Sequence, residues 1–395
     1  MKFGVYVHIP YCLQRCRYCD FTTFEFTEIM PPEKYLQLLL KEIRQRSQLF
    51  QSTVLSSLYF GGGTPSLIPA DHILAIIQEL ANCGFPINST TEVTIEINPA
   101  TIDEKKLDLY LGGGINRFSV GAQSFDDDLL QLCGRRHQAR DTRHTLDLLT
   151  QRELNYSFDL LFALPSQTLG QLNRDLDEVK AFDPPHLSAY CLTVPTGHPM
   201  SHGRPPEGIQ LEMFDLIESR LANMGLAKYE ISNFSRPGLE SRHNWLYWTD
   251  QAYWGVGLSA HSYNPRVGNG VRFWNSTSLS NYQHQIEKLK QPTGLQSFSK
   301  NQIEYLQLHE ALTDFCHTSL RVKEGLAEKE LLNKFSFNYS HAVFLRLKNL
   351  QENGYLTRSL LGQWQLTSQG ERLSNQVFLA LTFSREDFFM TAQTN

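Results

Sequence analysis

Hydrophobic and polar positions change period repeatedly along the first part of the chain, from the two-residue period of strands to the longer period of helices. Helices are predicted at 32–50, 69–82, 103–111, 126–133, 139–152, 168–182 and 209–224. The segments around them predict strands and read "FGVYVHI", "LSSLYFGGG", "EVTIEIN", "INRFSVGAQ", "YSFDLLFALP", "HLSAYCLT" and "KYEISNF". Strands and helices that alternate in this way predict an α/β fold with a parallel sheet. The pattern alone leaves open a doubly wound sheet, a full barrel and a partial barrel.

The pattern changes after about residue 300, where helical segments follow one another. A long helical run over 300–321 precedes "GLAEKELLNKF" and "YSHAVFLRLKNLQENGYL", and a small hairpin is predicted in "LTRSLLGQWQLTSQGERL". Three helices and a hairpin in this order predict a winged-helix-like domain. Winged helices often bind DNA, but residues 301–395 contain nine Lys or Arg and ten Asp or Glu. DNA-binding domains usually carry a basic surface, so we expect a structural or partner-docking domain and no nucleic-acid binding.

Composition and charge exclude several classes of protein. Of the 395 residues, 41% are hydrophobic and 19% are charged, and the net charge of −5 gives no sign of a nucleic-acid or membrane surface. No apolar run approaches the roughly 18 residues that a membrane span needs, and the first residues lack the pattern of a signal peptide. No disulfide framework is predicted, so we expect a reduced, cytoplasmic protein. The seven cysteines include four that stand singly, which are Cys83, Cys133, Cys191 and Cys316.

The other three cysteines lie within eight residues, in the segment "CLQRCRYCDF". Cys12, Cys16 and Cys19 form a C-x3-C-x2-C pattern, and Phe21 follows it. A structural zinc site or a ferredoxin-type cluster uses four protein ligands, and this segment supplies three, with His8 as an alternative fourth. A redox C-x2-C pair lacks its usual context. The three thiolates instead favour a 4Fe–4S cluster with one iron open to a further ligand, which is typical of a reactive metal site.

This cysteine segment, with Tyr18 before its last cysteine, resembles the cluster loop of the radical S-adenosylmethionine (SAM) superfamily. The resemblance implies that the fourth iron binds the amino and carboxylate groups of SAM, and that an electron from the cluster cleaves SAM to a 5′-deoxyadenosyl radical. The segment "GGGTPS" at 61–66 follows a predicted strand. Its glycines allow backbone N–H groups to approach an anionic or zwitterionic ligand closely, and an ordinary glycine turn is the alternative.

More narrowly, the chain resembles the coproporphyrinogen dehydrogenase-like family over nearly its whole length. The segments that carry the resemblance are "YVHIPYC", "GGGTPS", "EINP", "GAQSF", "GRRH", "FDLLFALPSQT" and "HNWLYW". The family implies a partial (β/α)6 barrel of the radical SAM type, with the cluster at the C-terminal ends of the strands. We therefore expect the barrel core over 1–235, an extension that completes the side of the barrel over 236–299, and the smaller, mainly helical winged-helix-like domain over 300–395.

The resemblance also implies which residues contact SAM. Glu96, near the end of "EVTIEIN", is expected to accept the ribose hydroxyls or the ammonium group, because α/β folds place ligands at the C-terminal ends of strands. Asp159 is a carboxylate in an otherwise apolar strand and needs a partner. Arg135 is expected to be that partner or to bind a carboxylate, and Arg136 and His137 are expected at the surface. The implied contacts of SAM are Tyr6, Tyr18, Gly62, Gly63, Thr64 and Glu96, and those of a second SAM in the porphyrinogen-oxidising relatives are Gln123, Arg135 and Asp159.

Two departures distinguish this chain from the porphyrinogen-oxidising members of the family. Those enzymes carry a fourth cysteine where Phe21 stands, and a longer segment ahead of the barrel, whereas five residues precede Tyr6 here. Both departures, and "HNWLYW", favour the haem-chaperone branch. That branch implies binding of a 4Fe–4S cluster, SAM and haem, and delivery of haem to apo-haemoproteins.

Several points stay open at this stage. The alternative functions are a coproporphyrinogen III dehydrogenase, which decarboxylates propionates by radical chemistry, and a non-catalytic Fe–S electron-transfer protein. A chaperone need not turn over a substrate, so the resemblance does not decide whether the protein is an enzyme. Peripheral contact with a membrane is compatible with the sequence.

Two histidines are candidates for the haem ligand, since haem iron is usually bound by His, Cys, Met or Tyr. His243 stands in "HNWLYW" beside Trp245, Tyr247 and Trp248, which would form an aromatic platform for a porphyrin. A buried structural patch with a hydrogen-bonded histidine is the alternative there. His261, in "GLSAHSY", is the rival ligand.

Overall fold

The alternating pattern of the first part of the chain forms strands and helices at nearly all the predicted places. The computed structural model describes residues 2–50, 54–336 and 342–389. The strands of these residues are β1 (Lys2–Ile9), β2 (Tyr11–Cys12), β3 (Phe24–Glu25), β4 (Val54–Gly62), β5 (Glu92–Ile97), β6 (Arg117–Gln123), β7 (Tyr156–Phe162), β8 (His186–Cys191), β9 (Ala227–Glu230), β10 (Asn233–Ser235), β11 (Ala252–Val256), β12 (His261–Asn264), β13 (Val271–Trp274), β14 (Ile303–Tyr305), β15 (Leu326–Ala327), β16 (Leu356–Arg358) and β17 (Gln363–Leu366). The helices are α1 (Pro32–Arg46), α2 (Ala70–Asn82), α3 (Glu104–Gly112), α4 (Asp127–Leu132), α5 (Ala139–Gln151), α6 (Leu169–Phe182), α7 (Glu207–Asn223), α8 (Arg242–Trp248), α9 (Leu279–Lys288), α10 (Leu308–Ser319), α11 (Glu328–Phe335), α12 (Ala342–Glu352), α13 (Ser368–Arg372), α14 (Ser374–Ala380) and α15 (Glu386–Phe389).

The large sheet is mostly parallel. Its strand order is β14-β13-β12-β11-β1-β4-β5-β6-β7-β8-β10-β9, and every neighbouring pair from β11 through β1 to β8 is parallel. Helices α1 to α6 connect the successive parallel strands from β1 to β8. The predicted α/β fold with a partial (β/α)6 barrel is therefore confirmed, with β11 as an additional parallel strand beside β1.

Local sequence explains where several helices begin. Pro32 occupies the first turn of α1, where its missing N–H has no helical partner to lose. At the start of α6, Thr168 Oγ1 accepts a hydrogen bond from the backbone N–H of Gln171, whose side chain accepts one from the backbone of Thr168 in return. Asp126 caps α4 by accepting two backbone N–H bonds. These caps fix the helices that follow β6 and β7, and with them the loops at the C-terminal ends of those strands.

The two faces of the parallel strands have different neighbours. On β1, Phe3 and Val5 are fully buried in the core that the sheet shares with its helices, whereas Gly4 and Tyr6 lie on the opposite face. A Cβ atom at Gly4 would lie 2.2 Å from the side chain of Leu246, so α8 packs directly on this inner face. Side chains from β4 to β8 line one cavity, which shows that the parallel part of the sheet curves around it.

Two predicted elements differ from the structure. The segment "KYEISNF" forms two short antiparallel strands, β9 and β10, instead of one, and β10 pairs antiparallel with β8, where the parallel order ends. The helical run predicted over 300–321 includes strand β14, and α10 starts only at Leu308. β14 forms because its residues extend the sheet beside β13, and such a tertiary contact overrides local helical pattern.

The C-terminal part of the chain has its own hydrophobic core, whose buried residues extend from Leu306 to Phe383. Helices α10, α11 and α12 and the hairpin of β16 and β17, which pairs with β15, confirm the winged-helix-like order. The first residues of the predicted third helix, 339–341, lie outside the described residues, and the domain boundaries stay predictions. Across the described ranges, no helix has both the length and the apolar character that crossing a bilayer requires.

A buried polar network joins α1 to the loop after β11. Glu42 and Arg46 have fully buried side chains and form a salt bridge of 2.9 Å. The Glu42 carboxylate also accepts hydrogen bonds from Tyr282 Oη at 2.7 Å, Asn275 Nδ2 at 2.7 Å and the backbone N–H of Gly257 at 2.9 Å. Such additional bonds are what a buried ion pair needs to offset the loss of water. Because Gly257 follows β11, the network fixes the loop between β11 and β12 against α1.

Candidate cofactor site

A cavity of about 440 Å³ lies inside the curved sheet, at the C-terminal ends of β4 to β8. The cysteine loop covers one side of it, and the glycine turn after β4 borders the loop. The structure thus brings together residues that the sequence spreads over some 150 positions. The predicted site residues that line the cavity are Cys12, Cys16, Tyr18, Cys19, Gly62, Gly63, Thr64, Glu96, Gln123, Arg135 and Asp159.

The cysteine loop packs closely on the glycine turn. A Cβ atom at Gly63 would lie 2.6 Å from the carbonyl oxygen of Tyr11 and 3.0 Å from Cys12 Sγ, so only glycine permits this approach. Burial raises the pKa of Cys12 to about 11, and the nearby thiols of Cys19 and Cys16 add to the shift. Burial also raises the pKa of Cys19. A metal centre binds thiols as thiolates, so a bound cluster would offset this effect of burial.

The donor set fits a cluster. In the part of the chain that the structure describes, no three His, Cys, Asp or Glu side chains converge on the position of a single metal ion. A 4Fe–4S cluster distributes its thiolates over several irons. Phe21, in the place of a fourth cysteine, lines the cavity with its ring. Cys12, Cys16 and Cys19 would therefore hold three irons, and the fourth would face the cavity.

Arg135 contacts the cysteine loop instead of forming the expected ion pair with Asp159. Its Nη1 donates to Cys16 Sγ at 3.3 Å, and its Nη2 donates to the carbonyl oxygen of Gly121. Burial raises the pKa of Asp159 to about 6, and the Ser188 hydroxyl, Arg117 and Arg135 act in the opposite direction. Arg135 therefore affects Asp159 through its charge and places that charge next to one of the three predicted cluster ligands.

Glu96 projects into the cavity from the end of β5 and is held by two donors. Tyr59 Oη donates to Oε1 at 2.9 Å, and the backbone N–H of Gly62 donates to Oε2 at 3.0 Å. Gly62 has a φ of +111°, and a Cβ atom there would lie 2.5 Å from the His8 ring, so this turn requires glycine. Burial raises the pKa of Glu96 to about 7; the Tyr59 bond lowers it and the charge of Asp159 raises it.

The raised pKa of Glu96 gives a testable pH dependence. A pKa of about 7 means that the carboxyl is largely protonated at pH 6 and largely ionised at pH 8. SAM carries positive charge, so we expect its affinity for the reconstituted protein to fall about fivefold to tenfold from pH 8 to pH 6, because the ionised fraction of Glu96 falls about tenfold over this range. Equilibrium dialysis under anaerobic conditions measures it. Glu96→Gln should bind SAM weakly with a flat profile, and an unchanged slope in that variant would exclude Glu96 as the titrating group.

The geometry does not support His243 as a haem ligand. Its side chain is 1% exposed, its Nδ1 lies 2.9 Å from Ser57 Oγ, and its Nε2 lies 2.9 Å from Tyr247 Oη. Both ring nitrogens are therefore engaged inside the protein, beneath the cavity and stacked on Tyr59 at 5.0 Å. This arrangement matches the alternative interpretation from sequence, a buried histidine whose two ring nitrogens are hydrogen-bonded within the protein. Tyr6 also lies behind the cavity, with its Oη 3.0 Å from His8 Nδ1.

His261 is the accessible candidate. It is exposed at the start of β12, and its ring stacks on Trp274 of β13 with centroids 5.5 Å apart and an interplanar angle of 18°. Neither of its ring nitrogens takes part in a hydrogen bond to the described residues. Two residues earlier, Ser259 Oγ accepts a hydrogen bond from Thr22 Oγ1 at 3.0 Å. His261 thus follows a loop that touches the cysteine loop.

One residue near the cavity was placed wrongly from sequence, and several residues that line the cavity were missed. His137 is buried, not at the surface, because its ring reaches Asn98 at 3.2 Å and the Ala122 carbonyl at 3.4 Å. Cys191, isolated in sequence, also lines the cavity. Most of the other lining residues share one sequence pattern, in which polar residues recur at every second position of a strand that is otherwise apolar. The polar lining residues at two-residue spacing are Arg117 and Ser119 of β6, Ser157 and Asp159 of β7, and His186 and Ser188 of β8.

Comparison with known proteins agrees with this site. Residues 6–179, which span the cysteine loop, the glycine turn and strands β4 to β7, match the family model of the Radical SAM superfamily. The solved structure of coproporphyrinogen III oxidase (HemN) from Escherichia coli superposes with a TM-score of 0.80 at 22% identity, and the alignment covers 96% of this chain and 90% of that one. Fold and site together define a protein of the radical SAM class.

Similarity to curated proteins identifies the family within the radical SAM superfamily to which this chain belongs. A protein of Bacillus subtilis named "Heme chaperone HemW" is 30% identical over 95% of this chain and 98% of its own length. A protein of the same name from Synechocystis is 36% identical over 69% of this chain and 71% of its own length. The chain belongs to the HemW family within the radical SAM superfamily. Membership in that superfamily implies a 4Fe–4S cluster and SAM as its cofactors.

Proposed function

We propose that this protein is a radical-SAM-type haem chaperone, which binds a 4Fe–4S cluster, SAM and haem and delivers haem to apo-haemoproteins in the cytoplasm. The observation that carries the proposal is the similarity to the Bacillus subtilis relative, which extends over 95% of this chain and 98% of that protein. The function proposed is the one that the name of this relative states. The cavity that the three cysteines of the loop line is compatible with a cluster and SAM.

The residues of the cavity have distinct roles in the proposal. Cys12, Cys16 and Cys19 hold the cluster, which supplies an electron to SAM when both are bound. Glu96 in its ionised form accepts hydrogen bonds from SAM, as its position at the end of β5 allows. Gly62 and Gly63 allow the turn after β4 to approach His8 and the cysteine loop closely. Further proposed contacts lie at Tyr18, Thr64, Gln123, Arg135 and Asp159, whereas Tyr6 lies behind the cavity and supports the residues that line it.

We place haem at His261. An imidazole with both nitrogens free of intramolecular bonds is able to ligate iron, and the parallel ring of Trp274 stacked on it fixes the orientation of the imidazole. Because His261 is exposed, an acceptor protein is able to reach the iron and exchange its own ligand for this histidine. The buried His243 offers no such access.

Haem titration of single variants tests this placement. We expect His261→Ala to weaken haem binding at least tenfold, about 1.4 kcal/mol, and to shift the Soret band, because the axial ligand is lost. His243→Ala should keep the spectrum and affinity but unfold at lower temperature, since Ser57 and Tyr247 lose their buried partner. His284→Ala removes an exposed histidine of α9 and is the matched control. Unchanged binding in His261→Ala would refute the placement.

We also expect no conversion of coproporphyrinogen III to protoporphyrinogen IX by the reconstituted protein. The expectation rests on Phe21, which exposes 62% of its surface at the place of the fourth cysteine of the oxidising enzymes. The likeness to the Escherichia coli oxidase, at 22% identity, concerns the fold alone. The conversion is measured by chromatography of the porphyrins after anaerobic incubation of the protein with coproporphyrinogen III, SAM and a reductant. Turnover at a rate comparable to that of a porphyrinogen-oxidising enzyme run in parallel would favour the dehydrogenase instead.

A further inference from the structure

Two buried donor groups without a partner lie in the cavity, away from the cysteine loop. Arg117 is the first residue of β6 and is 2% exposed, and His186 is the first residue of β8 and is 1% exposed. Both line the cavity, and Ser157 lies between them on β7. Because these residues stand early in their strands, they lie deeper than Glu96 and Gln123, which stand near the strand ends. We call Arg117, Ser157 and His186 the inner chamber.

The Arg117 guanidinium lacks a counter-ion. Its Nη2 donates to Ser157 Oγ at 3.1 Å, but its Nε is buried without a partner. No salt bridge joins it to a carboxylate within 4.0 Å in the described ranges. Asp159 is near enough to feel its charge but does not pair with it. A buried guanidinium in this state is unfavourable unless an acceptor reaches it.

The hydrogen bonds around His186 assign its free nitrogen as a donor. Tyr229 Oη lies 2.8 Å from His186 Nε2 and accepts the backbone N–H of Ser241 at 3.4 Å. We assign the Tyr229 O–H as the donor to Nε2, because the Tyr229 oxygen already accepts the Ser241 N–H. Burial lowers the pKa of His186 well below its usual value, and Arg117 acts in the same direction, so the ring is neutral. A neutral ring that accepts at Nε2 carries its proton on Nδ1, and Nδ1 has no partner.

We infer that the inner chamber binds a carboxylate group of a ligand. A planar carboxylate takes parallel hydrogen bonds from the Arg117 fork and one from His186 Nδ1–H. A monoanion is favoured over a phosphate dianion because the carboxylates of Asp159 and Glu96 also line the cavity and would repel a second negative charge. Two sources supply this chemistry, a free small carboxylate and a propionate of a haem that enters the cavity, apart from haem bound at His261, which does not line the cavity. The second rests on the proposed function, and the first does not.

The test uses the full chain with reconstituted cluster, and sodium acetate is the probe. Sodium acetate is compared with sodium chloride at the same ionic strength. We expect acetate to raise the unfolding temperature of the wild type more than chloride does, by preferential binding to the folded state. Arg117→Gln should weaken acetate binding at least tenfold, and His186→Leu about threefold to tenfold. Arg136→Gln, an exposed arginine that contacts Gln14, is the matched control and should bind acetate like the wild type.

Two further arms keep the inference falsifiable. If Arg117→Gln does not fold, Arg117→Lys replaces it as the test variant because it keeps the buried positive charge. Arg117→Lys should bind acetate about fivefold more weakly than the wild type does, because lysine lacks the planar fork of arginine. Haem and its dimethyl ester are compared on the same proteins, and the wild type should prefer haem if a propionate is the occupant. Acetate equivalent to chloride, together with equal binding of haem and its ester, would overturn the inference. Acetate binding without any haem binding would support it and refute the proposed function.

Discussion

Cys16→Ser is expected to abolish the 4Fe–4S cluster, because Cys16 is one of only three cysteines in the loop. The serine hydroxyl binds iron weakly at neutral pH. Wild-type protein reconstituted without oxygen should contain about four irons and four sulfides per chain. Cys12→Ser, Cys16→Ser and Cys19→Ser should each contain less than about one. Iron and sulfide analysis and the visible absorption band measure the loss.

Cys191→Ser is the matched control for the cysteine variants, because Cys191 lines the same cavity but stands outside the motif. It should retain the cluster, as should variants of Cys83, Cys133 and Cys316. A cluster that survives in Cys16→Ser would contradict the assignment of the ligands. Loss of the cluster in Cys191→Ser would instead make Cys191 a fourth protein ligand and remove the open iron.

The second large effect is on stability. Glu42→Ala should lower the free energy of unfolding by about 3–5 kcal/mol, because it leaves the fully buried Arg46 without its counter-ion. Chemical denaturation of the apo-protein, followed by circular dichroism, measures it. Glu33→Ala, which removes an exposed glutamate from the same helix, should cost about 0.5 kcal/mol.

A conservative variant separates charge from hydrogen bonding at this position. Glu42→Gln keeps an acceptor for Tyr282 and the Gly257 N–H but loses the charge opposite Arg46, so an intermediate loss is expected. If Glu42→Ala and Glu33→Ala had equal stability, the network would have no role in holding α1 to the loop after β11.

Much of the fold was accessible from sequence because its elements are strongly periodic. Strand "FGVYVHI" and the helix at 69–82, for example, appear as β1 and α2. The C-terminal ends of parallel strands meet at one edge of the sheet, so motifs at strand ends were expected to share a cavity. In the structure, Glu96, Gln123 and the glycine turn line one cavity together with the cysteine loop.

What sequence did not provide depends on partners far away along the chain. His243 is buried because α8 packs on β1 and β4, and its partner Ser57 lies 186 residues earlier. The aromatic residues around it suggested a porphyrin platform, although the same residues form a core contact equally well. The Glu42 network likewise combines residues from 42 to 282, and no local pattern marks a glutamate in a helix as buried. Strand β14 exists only because β13 is beside it.

The position of β1 in the middle of the sheet affects how the chain is made. β1 emerges first during synthesis, yet one of its two neighbours is β11, whose Trp254 pairs with Val5 about 250 residues later. At roughly 5–20 residues per second, that partner follows more than about ten seconds behind. Until then one edge of β1 has no strand beside it, and the Gly257 anchor beside the His8 carbonyl is also missing. Cofactor loading is therefore expected to follow translation of the barrel, and nascent chains truncated before residue 252 should not retain iron.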